Sequence, residues 1–420
     1  TRSRDRIEIS DATLQLNGQP LSLSAMITPP PGGWAGLRSL PRVEADIGFP
    51  QGRLQLLGSL TPDDIVLTEA RLTTDATRLN VEGTLARTAG RPSALKASGV
   101  VELKELETLP FVSLPGLSSW KLRGETEVEA QLRGELSDWA SATLDGRFRA
   151  RALSVRGVPL DQVVGTLEQS DRVMRLRVAS AQLAEGRLTG ELTIDDRPAT
   201  QGWLLQADLA GLQLAALAQS IPAWRTRSMT GQASGHLVLS GQWKDRATWR
   251  GEGWVNAAGE RLGDVPLLEK VFQGLFGVLA ERMGLEMLRR AQITEASVQW
   301  RLAEERFSTE ELRLGGRAGI EPVAVYAKGS VGLDQTLDFV IEPELSEMAL
   351  LQAPTTSTLA GTVLKAAGQL DRLRRLIGRH HLTGTLKQPV YRFEFSTQEV
   401  LRQLAPGPST LLQNLFDAAR

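Results

Sequence analysis

Lys121 to Gly134 reads KLRGETEVEAQLRG, and the alternation within this stretch decides the fold class. The small and apolar positions are Leu122, Gly124, Thr126, Val128, Ala130 and Leu132. A helix would spread the intervening charged residues around its whole circumference, whereas a strand places them on one face. Antiparallel sheets with one apolar and one solvated face have this pattern. The stretch therefore predicts a one-sided strand of roughly 40 Å at about 3.3 Å per residue.

The length and composition extend this prediction to the whole chain. At 420 residues the chain exceeds the size at which a single core stops growing, so it contains several domains or a repeat array. Its 40 glycines and its low aromatic content of 5% favour many strands and turns over a few large cores.

Charge and cysteine content exclude several classes of function. The 48 basic and 49 acidic residues are well mixed, so no basic stripe for a nucleic acid is present and none is expected as a partner. The absence of cysteine excludes disulfides and cysteine-based metal sites. The chain opens with TRSRDRIEIS, without methionine, signal core or spanning segment, which predicts a piece of a longer protein.

Turn residues divide the first part of the chain into strands. The alternation of apolar and polar residues begins at Arg6, and Asn17-Gly18 predicts a hairpin between the first two strands. Further strands are predicted at Val43–Phe49, Arg53–Leu60, Ile65–Leu72, Leu79–Ala86 and Ser98–Leu106. Pro- and Gly-containing segments separate them, as in an antiparallel sheet.

A weak repeat organises the remainder. One copy starts at Gly124 and passes through Val158-Pro159-Leu160, and a second starts at Gly231 and passes through Val265-Pro266-Leu267. We therefore predict N-terminal β-groove strands over 1–117, a β-groove repeat over 118–222, a second repeat over 223–345 and a helical cap with final strands over 346–420.

Helices are expected mainly near the C-terminus. Apolar residues at helical spacing predict an insertion over Asp264–Arg290 in the second repeat and a helix over Ser357–Ile377. A capping box predicts a last short helix over Thr397–Leu404. Strands are predicted to return at Leu382–Leu386 and Val390–Phe395.

The search for catalytic and metal-binding motifs finds none, which predicts that the chain is not an enzyme and uses no cofactor or metal. His380 and His381 are adjacent and would point to opposite faces of a strand. The acidic pairs Asp63-Asp64 and Asp195-Asp196 stand beside prolines, which favours solvated turn carboxylates over an acid–base pair.

Four tryptophans, Trp243, Trp249, Trp254 and Trp300, crowd the second repeat. A sugar-binding platform is one interpretation. Side chains that fill a core are the favoured one.

The remaining feature is a large apolar surface. The side chains expected to line it are Leu122, Val128, Leu132, Leu176, Leu188, Leu192, Leu205, Leu239, Val325 and Phe339. Either the sheet closes into a sandwich with a dry core, or it curls into a partly open trough that holds an apolar ligand.

The second repeat carries a family resemblance. Val265-Pro266-Leu267 with its amphipathic helix, then FSTEELRL from Phe307 and LTGTLKQPV from Leu382, resemble the C-terminal region of the AsmA-like family of Gram-negative bacteria. The resemblance implies a parent protein anchored in the inner membrane that projects into the periplasm. It also implies a long twisted antiparallel sheet bent into an apolar groove, which carries phospholipid towards the outer membrane.

Three functions of different classes follow. The first is a periplasmic lipid-transfer bridge module, whose partners are phospholipid and the inner and outer membranes or their proteins. The second is an envelope scaffold or assembly factor that pairs its sheet edge with strands of outer-membrane proteins. The third is a carbohydrate-binding protein that uses the tryptophans.

Overall fold

The computed structural model describes residues 6–16, 19–30, 41–88, 90–109, 120–221, 224–262, 291–345 and 380–393. In these ranges the chain is mainly β, and its 21 strands belong to a long antiparallel sheet. The strands are β1 (Ile7–Leu16), β2 (Gln19–Thr28), β3 (Arg42–Phe49), β4 (Gly52–Leu60), β5 (Asp64–Thr74), β6 (Arg78–Ala86), β7 (Ser93–Glu102), β8 (Glu125–Gly134), β9 (Thr143–Val155), β10 (Val158–Ser170), β11 (Val173–Leu183), β12 (Gly186–Asp195), β13 (Gly202–Gln213), β14 (Thr230–Gln242), β15 (Asp245–Arg261), β16 (Gln292–Ala303), β17 (Arg306–Ala318), β18 (Glu321–Gly332), β19 (Leu337–Leu345), β20 (His380–Gly384) and β21 (Pro389–Phe393).

Short helical elements lie between some of these strands. The 3-10 helix η1 (Glu105–Glu107) follows β7, and the 3-10 helix η2 (Leu136–Ser141) connects β8 to β9. The helix α1 (Leu214–Ser220) follows β13 and buries Leu214 and Ala218.

The chain divides into two compact units. Unit 1 comprises Thr1–Thr226 and His236–Thr248, and unit 2 comprises Arg227–Gly235 and Trp249–Arg420.

The strands of unit 1 form a meander. From β1 to β13 each strand pairs antiparallel with the next one along the chain. Strand direction therefore alternates, and every strand has one end on the side of η1 and one on the side of η2. We call these the η1 end and the η2 end.

The η1 end of unit 1 contains a buried cluster. Leu21, Phe49, Leu72 and Leu109 pack together there, and Leu106 of η1 packs against them. Because η1 contributes to the cluster, it covers the apolar side of the sheet at this end.

Hydrogen bonds fix η1 in this position. The Glu105 carboxylate accepts hydrogen bonds from the backbone N–H groups of Ala76 at 3.2 Å and Thr77 at 3.0 Å, and from the Thr74 hydroxyl. Burial by itself raises the pKa of Glu105, but these hydrogen bonds outweigh it and hold the pKa below its ordinary value.

The structure confirms the predicted mainly β, antiparallel class and most of the early strands. The stretch from Lys121 is shorter than predicted, because the strand begins at Glu125. Lys121 and Gly124 adopt φ values of 47° and 117°, which interrupt an extended strand, and Arg123 forms an isolated bridge to Ser154.

Other predictions need correction or lie outside the described residues. The strand predicted over Ser98–Leu106 is wrong at its end, because β7 stops at Glu102 and η1 follows. Sequence reasoning also missed η2 and α1. The predicted hairpin turn Asn17-Gly18 and the helices predicted over Asp264–Arg290, Ser357–Ile377 and Thr397–Leu404 lie outside the described residues.

Candidate functional site: an apolar face across thirteen strands

An unbroken row of small and apolar residues crosses unit 1 from β1 to β13. Each member lies directly opposite the next across the strand pairing. The members are Ile9, Ala25, Ala45, Leu56, Ala70, Val81, Ala97, Ala130, Gly146, Leu167, Leu176, Leu192 and Leu205. Neighbouring strands lie about 4.8 Å apart, so this central row is roughly 55 to 60 Å long.

A second row lies beside it, toward the η1 end. It consists of Ala12, Leu23, Ile47, Leu54, Leu72, Leu79, Gly99, Val128, Phe148, Gly165, Val178, Gly190 and Ala207. Both rows occupy the same side of the sheet, because their members are two residues apart on nearly every strand.

A third row lies toward the η2 end. It consists of Ile7, Ile27, Val43, Gly58, Leu67, Gly83, Leu95, Leu132, Leu144, Gln169, Met174, Ile194 and Trp203. Its polar member is Gln169, whose side-chain amide donates to the carbonyls of Ala140 and Ala142 at 3.3 Å and so attaches η2 to the sheet. We call the side that bears the three rows the apolar face.

The opposite side of the same strands is polar. A row of polar residues runs from β2 to β13. Along each strand its members stand between the central row and the second row, but their side chains belong to the other face. It consists of Ser24, Asp46, Gln55, Arg71, Asn80, Ser98, Glu129, Arg147, Thr166, Arg177, Glu191 and Gln206. The apolar face is therefore a property of one side of the sheet.

Most of the apolar face is only half-buried. On β8, Val128, Ala130 and Leu132 are half-buried while Glu127 and Glu129 are exposed. Ile9 is 42% exposed at the β1 end of the central row. A closed, dry core would bury such side chains, so part of this face remains exposed to solvent.

Burial increases along the strands toward the η1 end. Val101, Thr126, Ala150 and Val163 form the next set of opposed residues in that direction, and all four are buried. Ala150 and Val163 belong to a core cluster with Ala181. The apolar face is thus closed at the η1 end of these strands. Toward the η2 end Ser93, Ala142 and Gln169 are buried as well, so the half-exposed part of the face lies between the two ends.

The apolar side of unit 2 is buried more deeply. Leu314 and Val325 lie opposite each other, as do Ala327 and Ile341, and all four are buried. Val325 is 1% exposed. In unit 2 these strands therefore have a packed core where unit 1 has a half-exposed face.

The predicted lining residues fall into two groups. Val128, Leu132, Leu176, Leu192 and Leu205 lie in the three rows of the apolar face. Leu188 is on the same side of β12, opposite Ala181 and Leu209. The structure brings these six together on one surface.

The remaining four predicted residues lie elsewhere. Leu122 precedes β8 and Leu239 lies on β14, and both are half-buried. Val325 and Phe339 lie in unit 2, where Phe339 is half-buried opposite Gly329 and Leu382.

The tryptophans divide between packed and exposed positions. Trp300 is half-buried and contacts Phe307 edge-on, with ring centroids 5.4 Å apart. Trp243 packs against Trp203 at 5.7 Å but is 49% exposed, and Trp254 is also exposed. The core-filling interpretation is therefore wrong for Trp243 and Trp254.

A shallow depression of about 520 Å³ lies on the polar side of β5 to β9. Its charged lining includes Glu69, Lys96, Glu129 and Arg147. Because cations and carboxylates alternate across neighbouring strands there, the depression fits a solvated surface rather than a specific pocket.

Searches for other kinds of site give no candidate in the described part of the chain. No group of three or more histidine, aspartate or glutamate side chains is placed there to hold a metal ion. Within the same ranges, every helix falls short of the length and apolarity needed to cross a membrane.

Comparison with known proteins does not identify a family. No family model matches the chain, and no curated protein or solved structure is significantly similar to it. The AsmA-like resemblance therefore stays a prediction.

Proposed function

We propose that unit 1 holds the acyl chains of phospholipids on its apolar face, within a groove formed by the curled sheet. In this proposal the chain is a module of a periplasmic lipid-transfer bridge between the inner and outer membranes. The observation that carries it is the continuity of the central row from Ile9 to Leu205 across half-buried strands.

The energetics of acyl-chain burial suit such a surface. Transfer of a methylene group from water contributes about 0.8 kcal/mol, so roughly ten buried methylenes supply about 8 kcal/mol without any specific pocket. An uninterrupted apolar row also allows a lipid to shift from strand to strand without crossing a polar position. Holding lipid in this way requires no catalytic group and no cofactor.

The periplasmic location and the membrane partners rest on the family resemblance alone. Fractionation of the parent protein from cells would test them. Recovery of the protein from the cytoplasm would contradict this part of the proposal.

The strand-pairing alternative has less support. The pairing of β1 with β2 shifts between Ile9 and Ala12, and Asp11 adopts a φ of 53°. Such a bulge disturbs the backbone pattern that an added strand would need, which disfavours β1 as a docking edge.

The direct test is mass spectrometry of an organic extract from protein purified without detergent. We expect phospholipid to copurify, and a protein of similar size from the same cells serves as the control for carry-over. A protein without lipid, which also takes up none from phospholipid vesicles, would contradict the proposal. Saturable binding of unfolded β-barrel segments or of glycans would instead favour the two other functions.

A further inference from the structure

Arginine–aspartate pairs line the η2 end of unit 1. Arg91, in the turn between β6 and β7, contacts Asp63, in the turn between β4 and β5, at 2.8 Å. Arg172, in the turn between β10 and β11, donates to both carboxylate oxygens of Asp138 in η2 at 2.8 Å. Each pair thus joins two turns at the same end of the strands.

A third group continues the series at β12 and β13. Arg197 contacts Asp195 through two hydrogen bonds of 2.6 and 2.9 Å, and its other terminal nitrogen lies 4.0 Å from Asp171. The hydrogen bond from Arg197 holds the pKa of Asp195 well below its usual value, so this carboxylate stays ionised. Asp195 follows Ile194 on β12 and therefore lies on the polar side of the sheet. We call the two pairs Asp63–Arg91 and Asp138–Arg172 the charged rim.

The charged rim lies at the η2 end of the strands. At the η1 end the apolar side of the sheet is covered by η1, and the four opposed residues there are buried. These residues are Val101, Thr126, Ala150 and Val163. Among the described residues of unit 1, the ion pairs that join one turn to another all lie at the η2 end. A ligand with an apolar body on the half-exposed middle of this face would therefore meet charged groups at the η2 end.

The rim residues can exchange partners with a ligand. The side chains of Arg91 and Asp63 are 49% and 60% exposed, and those of Arg172 and Asp138 are 35% and 46% exposed. Ion pairs with this exposure contribute little to stability, so opening one is not costly. Arginine binds phosphate oxygens in the same bidentate geometry as carboxylates.

We propose that the charged rim binds zwitterionic phosphate-ester head groups, with the phosphate on an arginine and the ammonium on the adjacent aspartate. The inference rests on the proposed function, because the acyl chains of the same lipid occupy the apolar face. A zwitterion satisfies both members of a pair. An anionic head group leaves the aspartate opposed by like charge, and an uncharged head group satisfies neither member.

Lipid loading from vesicles tests this directly. The full chain is incubated with vesicles that contain phosphatidylethanolamine, phosphatidylglycerol or diacylglycerol with identical acyl chains, and lipid per protein is measured after re-isolation. We expect phosphatidylethanolamine to load about fivefold more than the other two, the scale of one half-exposed ion pair.

Paired variants assign the preference to the rim. The double variant Asp138→Asn with Arg172→Gln preserves net charge, and we expect it to load all three lipids alike. Asp63→Asn with Arg91→Gln provides a second rim variant that leaves η2 untouched. Glu69→Gln with Arg71→Gln removes an ion pair from the polar side of β5 and should keep the preference.

The outcomes separate the head-group inference from the proposed function. Equal loading of the three lipids by the unaltered protein, or a preference that survives in both rim variants, would overturn the inference and leave acyl-chain binding intact. Loading of none of them would overturn both. If free phosphoethanolamine displaced the lipid at equal concentration, the rim would be a site for a soluble ligand and the inference would again fail.

Discussion

Val128 on β8 lies directly opposite Phe148 on β9, and Phe148 in turn lies opposite Gly165 on β10. Val128 and Phe148 are half-buried, and the Phe148 ring covers the position where Gly165 lacks a side chain. A large side chain thus lies opposite a glycine, and its ring occupies the space that the glycine leaves free. The apolar face is packed from strand to strand and still remains partly exposed to solvent.

This packing predicts unequal effects of two glycine substitutions on the apolar face. A methyl group at Gly165 would lie 2.3 Å from Phe148 Cζ and 2.4 Å from the Arg177 carbonyl oxygen, so Gly165→Ala should lower the free energy of unfolding by about 1 to 3 kcal/mol. At Gly146 the nearest atom would be 3.4 Å away, so Gly146→Ala should be close to neutral. Urea unfolding of both variants checks this, and equal effects would contradict the packing described.

The attachment of η1 predicts a pH dependence at the η1 end. The pKa of Glu105 is lower in the folded protein than its ordinary value of 4.5. Its hydrogen bonds therefore stabilise the fold fully above pH 4.5, and this contribution is lost as the pH falls through the lowered pKa. Glu105→Gln should lower stability at pH 7 by about 1 to 2 kcal/mol, because an amide accepts these bonds less strongly than a carboxylate.

Hydrogen exchange of the backbone amides of Ala76 and Thr77 reports on this contact. In the unaltered protein we expect their protection to fall below pH 4.5, and in Glu105→Gln to be low and independent of pH in this range. Protection that stays constant down to pH 2 in the unaltered protein would show that Glu105 does not hold η1 in place.

Sequence patterning predicted the strands well and the interruptions poorly. The alternation around Val128 specifies a strand with one apolar face, because a period of two has no other regular structure. The end of β7 could not be predicted, since η1 is fixed by Glu105 through Thr74 and Thr77, which are distant in sequence. Local propensity contains no information about such contacts.

The exposure of the candidate site to solvent could not be predicted from the sequence either. Val128 and Val325 were both predicted to line the apolar surface, yet one is half-buried and the other is 1% exposed. The difference depends on what packs over each strand. The rim pairs were missed for a similar reason, because Asp138 and Arg172 are brought together only by the meander.

The contrast between the two units gives a prediction for unit 2. Val325→Glu would place a carboxylate in a packed core without a partner, so it should destabilise unit 2 by about 4 kcal/mol. Val325→Thr, which keeps the shape of the side chain, should cost roughly 1 to 2 kcal/mol. Thermal unfolding measures both, and an unchanged midpoint for Val325→Glu would show that this face is solvated.

The same substitution at Val128 tests the central claim, that the apolar face of unit 1 is an open lipid-binding surface. Unfolding midpoint and copurified phospholipid are measured for Val128→Glu and for Glu127→Gln, a change on the polar side of the same strand. Because water reaches a carboxylate on a half-buried face, we expect Val128→Glu to lower stability by less than about 1.5 kcal/mol while lipid occupancy falls sharply. Glu127→Gln should alter neither quantity. A loss of several kcal/mol from Val128→Glu, in a protein that carries no lipid to begin with, would mean that the face is a dry core and would contradict the account.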